Sequence, residues 1–335
     1  MEAPPGELAL LQAIRARTEA QVGVKPKSRV QLGIGDDCAL LRPRAGEELA
    51  VTTDLSIQGR HFRLDWHPPE SVGHRTLARG LSDLAAMGAR PVAAFLSLGL
   101  PRELTLAQGR SAAWVTRFLD GLLALAAEHG VPLAGGDLAE SPIAIADIVL
   151  TGSVPQGKAL LRSGALPGDR IYVTGSLGGA AAELVALERS PATLAGVKAG
   201  GQPAPHLYPQ PRVAQGLWLR KRGLASAAMD LSDGLSTDLA HLCEESGVAA
   251  EVDAAALPLG PGATPEMALH GGEDYELLFT APEKAKIPSR IAGVEITAIG
   301  RLVAQKARKT RVLLLSESGS QPLLAQGWEH FSQKR

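Results

Sequence analysis

The chain has 335 residues, with 34 Lys and Arg against 35 Asp and Glu, and 45% of its residues are hydrophobic. This length suits two domains with a substantial core, and the near-neutral charge argues against a general nucleic-acid-binding surface. Cys38 and Cys243 lie far apart without metal-ligand spacing, so neither a disulfide framework nor a zinc site is expected. The sequence shows no signal peptide and no run of about 20 apolar residues, which predicts a cytoplasmic protein without a membrane or nucleic-acid partner.

The first half of the sequence predicts an alternation of helices and strands. Leu8, Leu11 and Ile14 recur at helical spacing. Two of the strands are expected to end on Asp54 and Asp137. The predicted helices lie near 8–14, 70–88 and 115–126, and the predicted strands lie at 48–54, 91–100, 131–137 and 144–155.

The second half is expected to open with a strand, a glycine-rich turn and a helix over 170–184. The stretch 188–212 is rich in proline and glycine, which is typical of a long surface loop. A strand over 226–230 is expected to end on Asp230. The remaining predicted elements are a helix on which Leu235, Leu239 and Leu242 share a face, and strands at 271–282 and 294–302.

Aspartates recur where strands are expected to end or where glycines suit turns, and each one alone has an ordinary structural explanation. Asp36 and Asp37 follow two glycines and suit a turn, and Asp233 suits the cap of the helix after it. Strand ends are also where α/β folds often assemble their sites. The full set comprises Asp36, Asp37, Asp54, Asp137, Asp230 and Asp233, with Asp83 inside a helical pattern.

If these carboxylates converge, they need cations between them, because clustered negative charges repel one another and any phosphate. Oxygen ligands without a His or Cys set favour Mg²⁺ over zinc, and Thr52 and Thr53 beside Asp54 add oxygens of the same type. Mg²⁺ held by carboxylates often accompanies bound phosphates. The pattern therefore predicts Mg²⁺-dependent nucleotide chemistry.

The common phosphate-binding motifs are missing from the sequence. It contains neither a G-x-x-x-x-G-K-[ST] loop nor the H-R-D and D-F-G segments of protein kinases. The glycine turn within 170–184 offers a nicotinamide-binding alternative, but it lacks the G-x-G-x-x-G spacing and an acidic strand end about 20 residues later. A dinucleotide site is therefore not favoured.

Eight segments, in one order and spacing, resemble the thiamine-monophosphate kinases, which belong to the aminoimidazole ribonucleotide synthetase-like superfamily of ATP-using enzymes. The likeness runs from about Gly6 to Phe331, and the combination of LSDLAAMGA with GGEDYELLF is its most specific part. The segments are GIGDDCALL, TTDLSIQGRHF, LSDLAAMGARP, GGDL, GKALLRSGALPGD, HLYPQPRV, MDLSDGLSTDL and GGEDYELLF.

The resemblance implies a two-domain α/β (α+β) fold of the aminoimidazole ribonucleotide synthetase type. Residues 1–153 would form an N-terminal domain that binds ATP and Mg²⁺ and pairs with its copy in a homodimer. Residues 154–335 would form a C-terminal α+β domain. The implied activity is transfer of the γ-phosphate of ATP to thiamine monophosphate, which gives thiamine diphosphate and ADP in the last step of thiamine diphosphate biosynthesis.

The resemblance also implies roles for individual residues at matching positions. Asp54, Asp83 and Arg162 are expected to act on the reacting phosphates. The expected ligands of several Mg²⁺ ions are Asp37, Thr52, Thr53, Asp54, Asp83, Asp137, Asp230 and Asp233. The residues expected to hold ATP are Gly136, Asp137, Arg162 and Ser232, and those expected to receive thiamine monophosphate are His61, Glu273 and Trp328.

These residue types suit the reaction. The second pKa of a phosphate monoester is about 6, so the acceptor is already an anionic nucleophile and needs little help from a general base. The guanidinium of Arg162 would bind the phosphates through paired hydrogen bonds and would help to align them for an in-line transfer. The ring of Trp328 and the carboxylate of Glu273 suit the cationic thiazolium and the aminopyrimidine of thiamine.

Ordinary explanations stay open beside these roles. His61 suits a loop histidine, Arg162 a solvated charge, Glu273 an exposed acidic turn and Trp328 a C-terminal packing anchor. The basic stretch 305–311 suits a solvated turn. Departures from the family pattern, which concern contact details and leave the carboxylates untouched, occur at Leu138, Gln58, Arg60 and His270.

Two other functions also stay open. One is another synthetase of the superfamily, which would make an aminoimidazole ribonucleotide, a formylglycinamidine or selenophosphate. The segment before Gly33 lacks the reactive Cys or selenocysteine expected for selenophosphate. The other is a non-catalytic metal-binding or regulatory protein, which would tolerate losses among the aspartates, yet every matching position is filled.

Overall fold

The computed structural model describes residues 7–22, 29–34, 38–107, 112–190, 204–305 and 311–328. The predicted ligand Asp37 and its neighbour Asp36 lie outside these residues, as does most of the predicted basic turn. Contacts within the chain divide it into two compact units. Unit 1 comprises residues 1–84, 90–156 and 190–202, and unit 2 comprises residues 85–89, 157–189 and 203–335.

Unit 1 is built around one four-stranded sheet. Its helices are α1 (Glu7–Val22), α2 (Pro69–Ala86) and α3 (Trp114–His129), and its strands are β1 (Val30–Leu32), β2 (Leu40–Leu41), β3 (Glu47–Ile57), β4 (Arg90–Leu100), β5 (Leu133–Glu140) and β6 (Ile145–Pro155). The sheet has the order β3, β6, β4, β5, with β5 parallel to β4 and the other neighbours antiparallel. Strands β1 and β2 pair in a separate small sheet.

Helix α2 packs in the core of unit 1 because its apolar side chains turn inward. Leu77 and Leu81 are fully buried, and burial of such a side chain contributes on the order of 2 kcal/mol. A Cβ added at Gly73 would stand 1.8 Å from the carbonyl oxygen of Phe118, so α2 and α3 touch through their backbones. This close approach fixes the helix that carries Asp83.

The predicted ends of two strands are wrong. Strand β3 continues beyond Asp54 to Ile57 because these residues still pair with β6. Strand β5 continues beyond Asp137 to Glu140, paired with β4. Both aspartates therefore lie inside strands, where successive side chains point to opposite faces of the sheet.

Unit 2 contains a larger mixed sheet. Its helices are α4 (Gly179–Arg189), α5 (Val213–Arg222), α6 (Leu235–Ser246) and α7 (Pro265–His270). Its strands are β7 (Arg170–Thr174), β8 (Ala227–Asp230), β9 (Val248–Asp253), β10 (Leu277–Ala281), β11 (Arg290–Ile291), β12 (Val294–Ala304), β13 (Val312–Ser316) and β14 (Gly319–Pro322). The order is β14, β13, β9, β12, β7, β10, β8, with β11 paired to β12; β13 is parallel to β9 and the other neighbours are antiparallel.

Several predictions for unit 2 are confirmed and two are wrong. The strand that ends on Asp230 and the strand, turn and helix over 170–184 are present. The stretch 188–212 is not a surface loop throughout, because Leu207 within its described part is fully buried. The strand predicted at 271–282 begins only at Leu277, and the residues before it form a loop.

The mixture of helices and sheets in both units confirms the predicted α+β class. Leu235, Leu239 and Leu242 lie in the core of unit 2, as their helical spacing predicts. Within the part of the chain that the structure describes, no helix is long and apolar enough to cross a membrane.

Candidate functional site

Three of the predicted ligands meet where β3 faces α2 in unit 1. Thr52 and Asp54 alternate on β3 with exposed neighbours, so both side chains point to the same, more buried face. The Thr52 hydroxyl donates a hydrogen bond to the Asp83 carboxylate on α2. Arg79, also on α2, forms an ion pair with Asp54 at 3.1 Å. The structure therefore brings Thr52, Asp54 and Asp83 together in one group.

The ionised form of Asp54 is disfavoured in this group. The pKa of Asp54 is raised to about 6, mainly by burial and also by the charges of Asp83 and Asp147, although Arg79 lowers it. A carboxylate whose ionised form is disfavoured in this way is stabilised by any cation that binds beside it. The group thus has the electrostatic character of a cation site.

The side chain of Thr53 does not join the group. Thr53 points to the opposite face of β3, where its hydroxyl donates to Asp147 at 3.0 Å. The sequence offers either the hydroxyl or the carbonyl oxygen of Thr53 as a ligand, and the alternation of side chains along β3 directs the hydroxyl away from Asp54. Binding of a metal ion by the carbonyl oxygen of Thr53 stays a prediction.

Gly136 and Asp137 line a cavity of about 610 Å³ in unit 1. Much of the rest of its wall is apolar and includes Phe95, Leu96 and Leu133. Gly136 has a φ of 151°, and a Cβ there would stand 1.8 Å from the carbonyl oxygen of Leu96, so the position requires glycine. The volume falls within the range of about 300–1,000 Å³ typical of small-molecule sites.

His61 is held by the backbone of the loop that follows β3. Its Nδ1 accepts a hydrogen bond from the Ile57 N–H at 3.1 Å, which places the proton of the neutral ring on Nε2. Gln58, one of the departures from the family pattern, accepts a hydrogen bond from the Ala144 N–H at 2.9 Å and so ties the same loop to β6. Arg60, another departure, is exposed.

In unit 2, Asp230 ends β8, and Ser232 and Asp233 lie on the turn between β8 and α6. Asp233 is not the cap that one explanation assigned to it, because Gly234 occupies the cap position and no side chain caps the helix there. Instead the Asp238 carboxylate accepts hydrogen bonds from the N–H groups of the turn. The pKa of Asp238 is raised to about 8, mainly by burial and also by the charges of Asp230 and Asp233.

Glu273 lies in a constrained loop that contacts this turn. Its φ of 69° is rare for a residue with a side chain, and its N–H donates to the carbonyl oxygen of Ser232 at 2.8 Å. Its Oε2 is 3.2 Å from Nδ1 of the buried His206. Glu273 is therefore a positioned carboxylate and not simply an exposed acidic turn.

Trp328 is anchored by its backbone while half of the residue stays exposed. Its N–H donates to the carbonyl oxygen of Asp233 at 3.0 Å, and the N–H of Gly327 donates to the Thr237 hydroxyl at 3.0 Å. The residue keeps 51% of its surface exposed. Trp328 is therefore anchored through its backbone, and about half of its surface is open to solvent.

His270 supports the same region. Its Nδ1 lies 2.8 Å from the Ser236 hydroxyl oxygen, which also accepts a hydrogen bond from the Gln326 N–H. This departure from the family pattern therefore contacts the first turn of α6.

Arg162 is exposed on the segment before β7, and its carbonyl oxygen accepts a hydrogen bond from Ser246. The described contacts do not join its guanidinium to the aspartates of the turn. Its predicted contact with ATP stays a prediction.

Several residues of these groups escaped the sequence analysis. Arg79 and Asp238 lie inside helical patterns, where a charged residue is ordinarily expected to lie on the solvent-exposed face. His206 lies within a stretch that resembled a surface loop, and its partner Glu273 is distant in sequence. Arg212 donates through Nε to buried Glu276 at 2.6 Å, which fastens the segment after His206 to the loop that carries Glu273.

The glycine turn over 170–184 does not offer an open anion site. The N–H groups of Gly178 and Ala180, at the start of α4, donate to the two carboxylate oxygens of Asp274 at 2.6 and 3.1 Å. A carboxylate of the chain itself thus occupies the place where a phosphate binds in dinucleotide folds. The nicotinamide-binding alternative is therefore disfavoured by the structure.

Among the described residues, no group of three or more His, Cys, Asp or Glu side chains is arranged to hold a metal ion. Mg²⁺ rarely uses such a group, because it is usually bound by one or two carboxylates together with water and substrate phosphates. The carboxylates of Asp54 and Asp83 beside the Thr52 hydroxyl, and the carboxylates of Asp230 and Asp233, fit that mode.

Comparisons with known proteins identify the family of the chain. The model of the AIR synthase related protein N-terminal domain matches residues 35–154, and the model of the C-terminal domain matches residues 167–312. Thiamine-monophosphate kinase from Escherichia coli (strain K12) is 42% identical over 287 residues, which cover 82% of this chain and 85% of that protein. The chain belongs to the thiamine-monophosphate kinase family. The resemblance read from the sequence is thereby confirmed, and so is the prediction of a kinase.

Solved structures of thiamine-monophosphate kinases share the fold. The enzyme from Stenotrophomonas maltophilia K279a is 38% identical, with a TM-score of 0.75 over 93% of this chain and 97% of that one. AaThiL complexed with AMPPCP and TMP is 31% identical, with a TM-score of 0.72 over 97% of both chains. The two-domain α+β fold of this family is therefore the fold of the chain.

The buried carboxyl of Asp274 predicts a pH-dependent stability. Burial raises its pKa from 3.8 to about 7, so the contribution of this group to stability is complete below about pH 4 and is lost as the pH rises through 7. Relative to Asp274→Asn, whose side chain does not titrate, the free energy of unfolding of the unmodified protein should fall by on the order of 4 kcal/mol over that range. Urea denaturation of both proteins from pH 4.5 to 8 measures the difference, and a difference independent of pH would contradict the prediction.

Proposed function

We propose that the chain transfers the γ-phosphate of ATP directly to thiamine monophosphate, with Mg²⁺ bound between its carboxylates and the phosphates. The observation that carries the proposal is the proximity of Asp54 to Asp83, beside the Thr52 hydroxyl and with the pKa of Asp54 raised to about 6, in a chain of the thiamine-monophosphate kinase family. A structure of the relative AaThiL with AMPPCP and TMP supports both substrates.

Thr52, Asp54 and Asp83 would hold Mg²⁺ in unit 1, together with Asp137 and with Asp37, and Asp230 and Asp233 would do so in unit 2. Bound Mg²⁺ would neutralise the phosphates of donor and acceptor during transfer. The raised pKa of Asp54 supports this assignment, because a cation that displaces or joins Arg79 stabilises the ionised form of this carboxyl group. Several ions are expected because the carboxylates are distributed over two groups.

Gly136 and Asp137 support nucleotide binding through the cavity that they line. Its apolar wall suits a base, and its polar margin at Asp137 suits the metal-bound phosphates. Ser232 and Arg162 are the other residues proposed to contact the nucleotide. The exposed guanidinium of Arg162 would be ordered by the phosphates that it binds.

His61, Glu273 and Trp328 would receive thiamine monophosphate. The bond from Ile57 to Nδ1 of His61 makes Nε2 the donor for a phosphate oxygen. The exposed indole of Trp328 can stack on the thiazolium. The Glu273 carboxylate, which is placed by a backbone with positive φ and lies 3.2 Å from Nδ1 of His206, can accept a hydrogen bond from the aminopyrimidine.

The proposed reaction requires these residues mainly to position the donor and acceptor phosphates. The acceptor phosphate is anionic at neutral pH and attacks without a general base, so no covalent phosphoenzyme is needed. Asp54 and Asp83 would bind the cations that orient the donor phosphates. The guanidinium of Arg162 would donate hydrogen bonds to the phosphates and add positive charge. An in-line displacement of ADP follows from holding the two phosphates in this way.

A homodimer is proposed from one uncovered face of unit 1. Leu49, Val51 and Leu55 lie on the face of β3 opposite Asp54 and are 45%, 64% and 46% exposed. Apolar side chains exposed together usually mark an interaction surface. A second copy of the chain is the occupant that the family resemblance implies. The cytoplasmic location stays a prediction of the sequence.

The product assay tests the proposed function. Purified protein is incubated with ATP, Mg²⁺ and thiamine monophosphate, and thiamine diphosphate and ADP are separated and quantified. Equal amounts of both products are expected. ATP turnover that requires a ribonucleotide instead would indicate another synthetase of the superfamily, and nucleotide binding without turnover would indicate a non-catalytic protein.

Asp54→Asn should lower turnover by more than about tenfold while the protein stays folded, because one Mg²⁺ ligand is lost. Without metal the variant should be at least as thermally stable as the unmodified protein, since a disfavoured charge is removed. Asp120→Asn is the matched control, because Asp120 is an exposed ion-pair partner of Arg17 in the same unit. Steady-state rates test the expected loss of turnover, and melting temperatures with and without Mg²⁺ and ATP test the expected stability. Near-normal turnover of the variant would show that Asp54 is not part of the site.

Val51→Asp should convert the proposed dimer to a monomer, because a charge would be buried in the apolar contact. Leu166→Asp is the matched control, since Leu166 in unit 2 is 63% exposed. Sedimentation equilibrium of the three proteins measures the molecular mass. A monomeric unmodified protein, or dissociation caused equally by both substitutions, would contradict the assignment of this face.

A further inference from the structure

Asp238 is a buried carboxylate of unit 2 with no role in the proposed chemistry. It is 1% exposed and lies one turn into α6. A single oxygen, Oδ2, accepts hydrogen bonds from the N–H groups of Ser232, Asp233 and Gly234, each at 3.1 Å. Three consecutive peptide groups are therefore directed at one atom.

The carbonyl oxygens of the same turn hold two other segments. The Ser232 carbonyl oxygen accepts the N–H of Glu273 at 2.8 Å, and the Asp233 carbonyl oxygen accepts the N–H of Trp328 at 3.0 Å. Asp238 thus accepts hydrogen bonds from the N–H groups of the same peptide groups whose carbonyl oxygens bind the backbones of Glu273 and Trp328. The two residues proposed to receive thiamine have the turn as a common support.

Close packing leaves this support little freedom. A Cβ at Gly272 would stand 2.6 Å from the Ser232 carbonyl oxygen, and one at Gly327 would stand 2.0 Å from the Asp233 carbonyl oxygen. Gly234 has a φ of 109°. A shift of the turn would therefore be transmitted directly to both segments.

We infer that Asp238 is a positioning residue, which fixes the turn 232–234 and through it the spatial relation of Ser232, Asp233, Glu273 and Trp328. This inference rests on the proposed function for the roles of those four residues in catalysis. The hydrogen-bond arrangement itself belongs to the free protein, so it is testable without turnover.

The test compares Asp238→Ala and Asp238→Asn with Asp169→Ala as the control. Asp169 is also a buried aspartate of unit 2, 5% exposed, and accepts hydrogen bonds from the Leu166 N–H and the Ser226 hydroxyl. Hydrogen exchange of the substrate-free proteins is followed by mass spectrometry. Asp238→Ala should accelerate exchange in 232–234 and also in the segments around Glu273 and Trp328, whereas Asp169→Ala should leave all three segments unchanged.

The kinetic arm measures kcat and KM for both substrates. Asp238→Ala should lower kcat/KM for thiamine monophosphate by roughly 10- to 100-fold, with a raised KM, because the acceptor groups lose their fixed relation. Asp238→Asn keeps an acceptor oxygen and should restore part of the loss, and it also serves if the Ala variant fails to fold. Asp169→Ala should change kcat/KM little at temperatures where it is folded.

Faster exchange confined to 232–234, without change around Glu273 and Trp328, would overturn the inference. So would equal kinetic losses in the Asp238 and Asp169 variants. If the unmodified protein makes no thiamine diphosphate, the proposed function fails, and the exchange measurement alone still decides whether Asp238 positions the two segments.

Discussion

The structure depends on acidic side chains that are held near one another where water cannot fully solvate them. Asp54 and Asp83 illustrate the constraint most directly, because β3 and α2 fix their backbones and only Arg79 is seen to pair with Asp54 among the described contacts. The backbone contact of α2 with α3 at Gly73 prevents the helix from moving away. In the proposed function, bound Mg²⁺ would relieve this repulsion and would hold the nucleotide phosphates in a protein without a phosphate-binding loop.

In unit 2, backbone N–H groups stabilise acidic side chains that are buried. Asp238 and Asp274 are buried, and peptide N–H groups rather than cations stabilise them. Each bond pattern fixes a loop, the turn before α6 in one case and the start of α4 in the other. The side chains of Ser232, Glu273 and Trp328 are then carried on fixed backbones and are only partly buried or exposed. Rigid support combined with accessible side chains is what a binding site requires.

The sequence predicts more of the fold than of the site. Long apolar patterns such as those of α2, β4 and α6 are strong local signals, and they are confirmed. The ends assigned to β3 and β5 at Asp54 and Asp137 are wrong, because a polar residue resembles a stop signal when the pairing partner is unknown. The alternation that separates Thr53 from Asp54 follows from the same pairing. His206 and Arg212 could not be found, because their partners Glu273 and Glu276 are far away in sequence and the intervening prolines resemble a surface loop.

The most direct test is diffraction from crystals grown with Mn²⁺, a non-hydrolysable ATP analogue and thiamine monophosphate, with data collected where manganese scatters anomalously. We expect anomalous peaks within coordination distance of the Asp54 and Asp83 carboxylates and of Asp230 or Asp233, each peak also in contact with a phosphate oxygen. Nucleotide bound in the crystal without manganese at these carboxylates would contradict the claim that their repulsion is relieved by metal-bound phosphate.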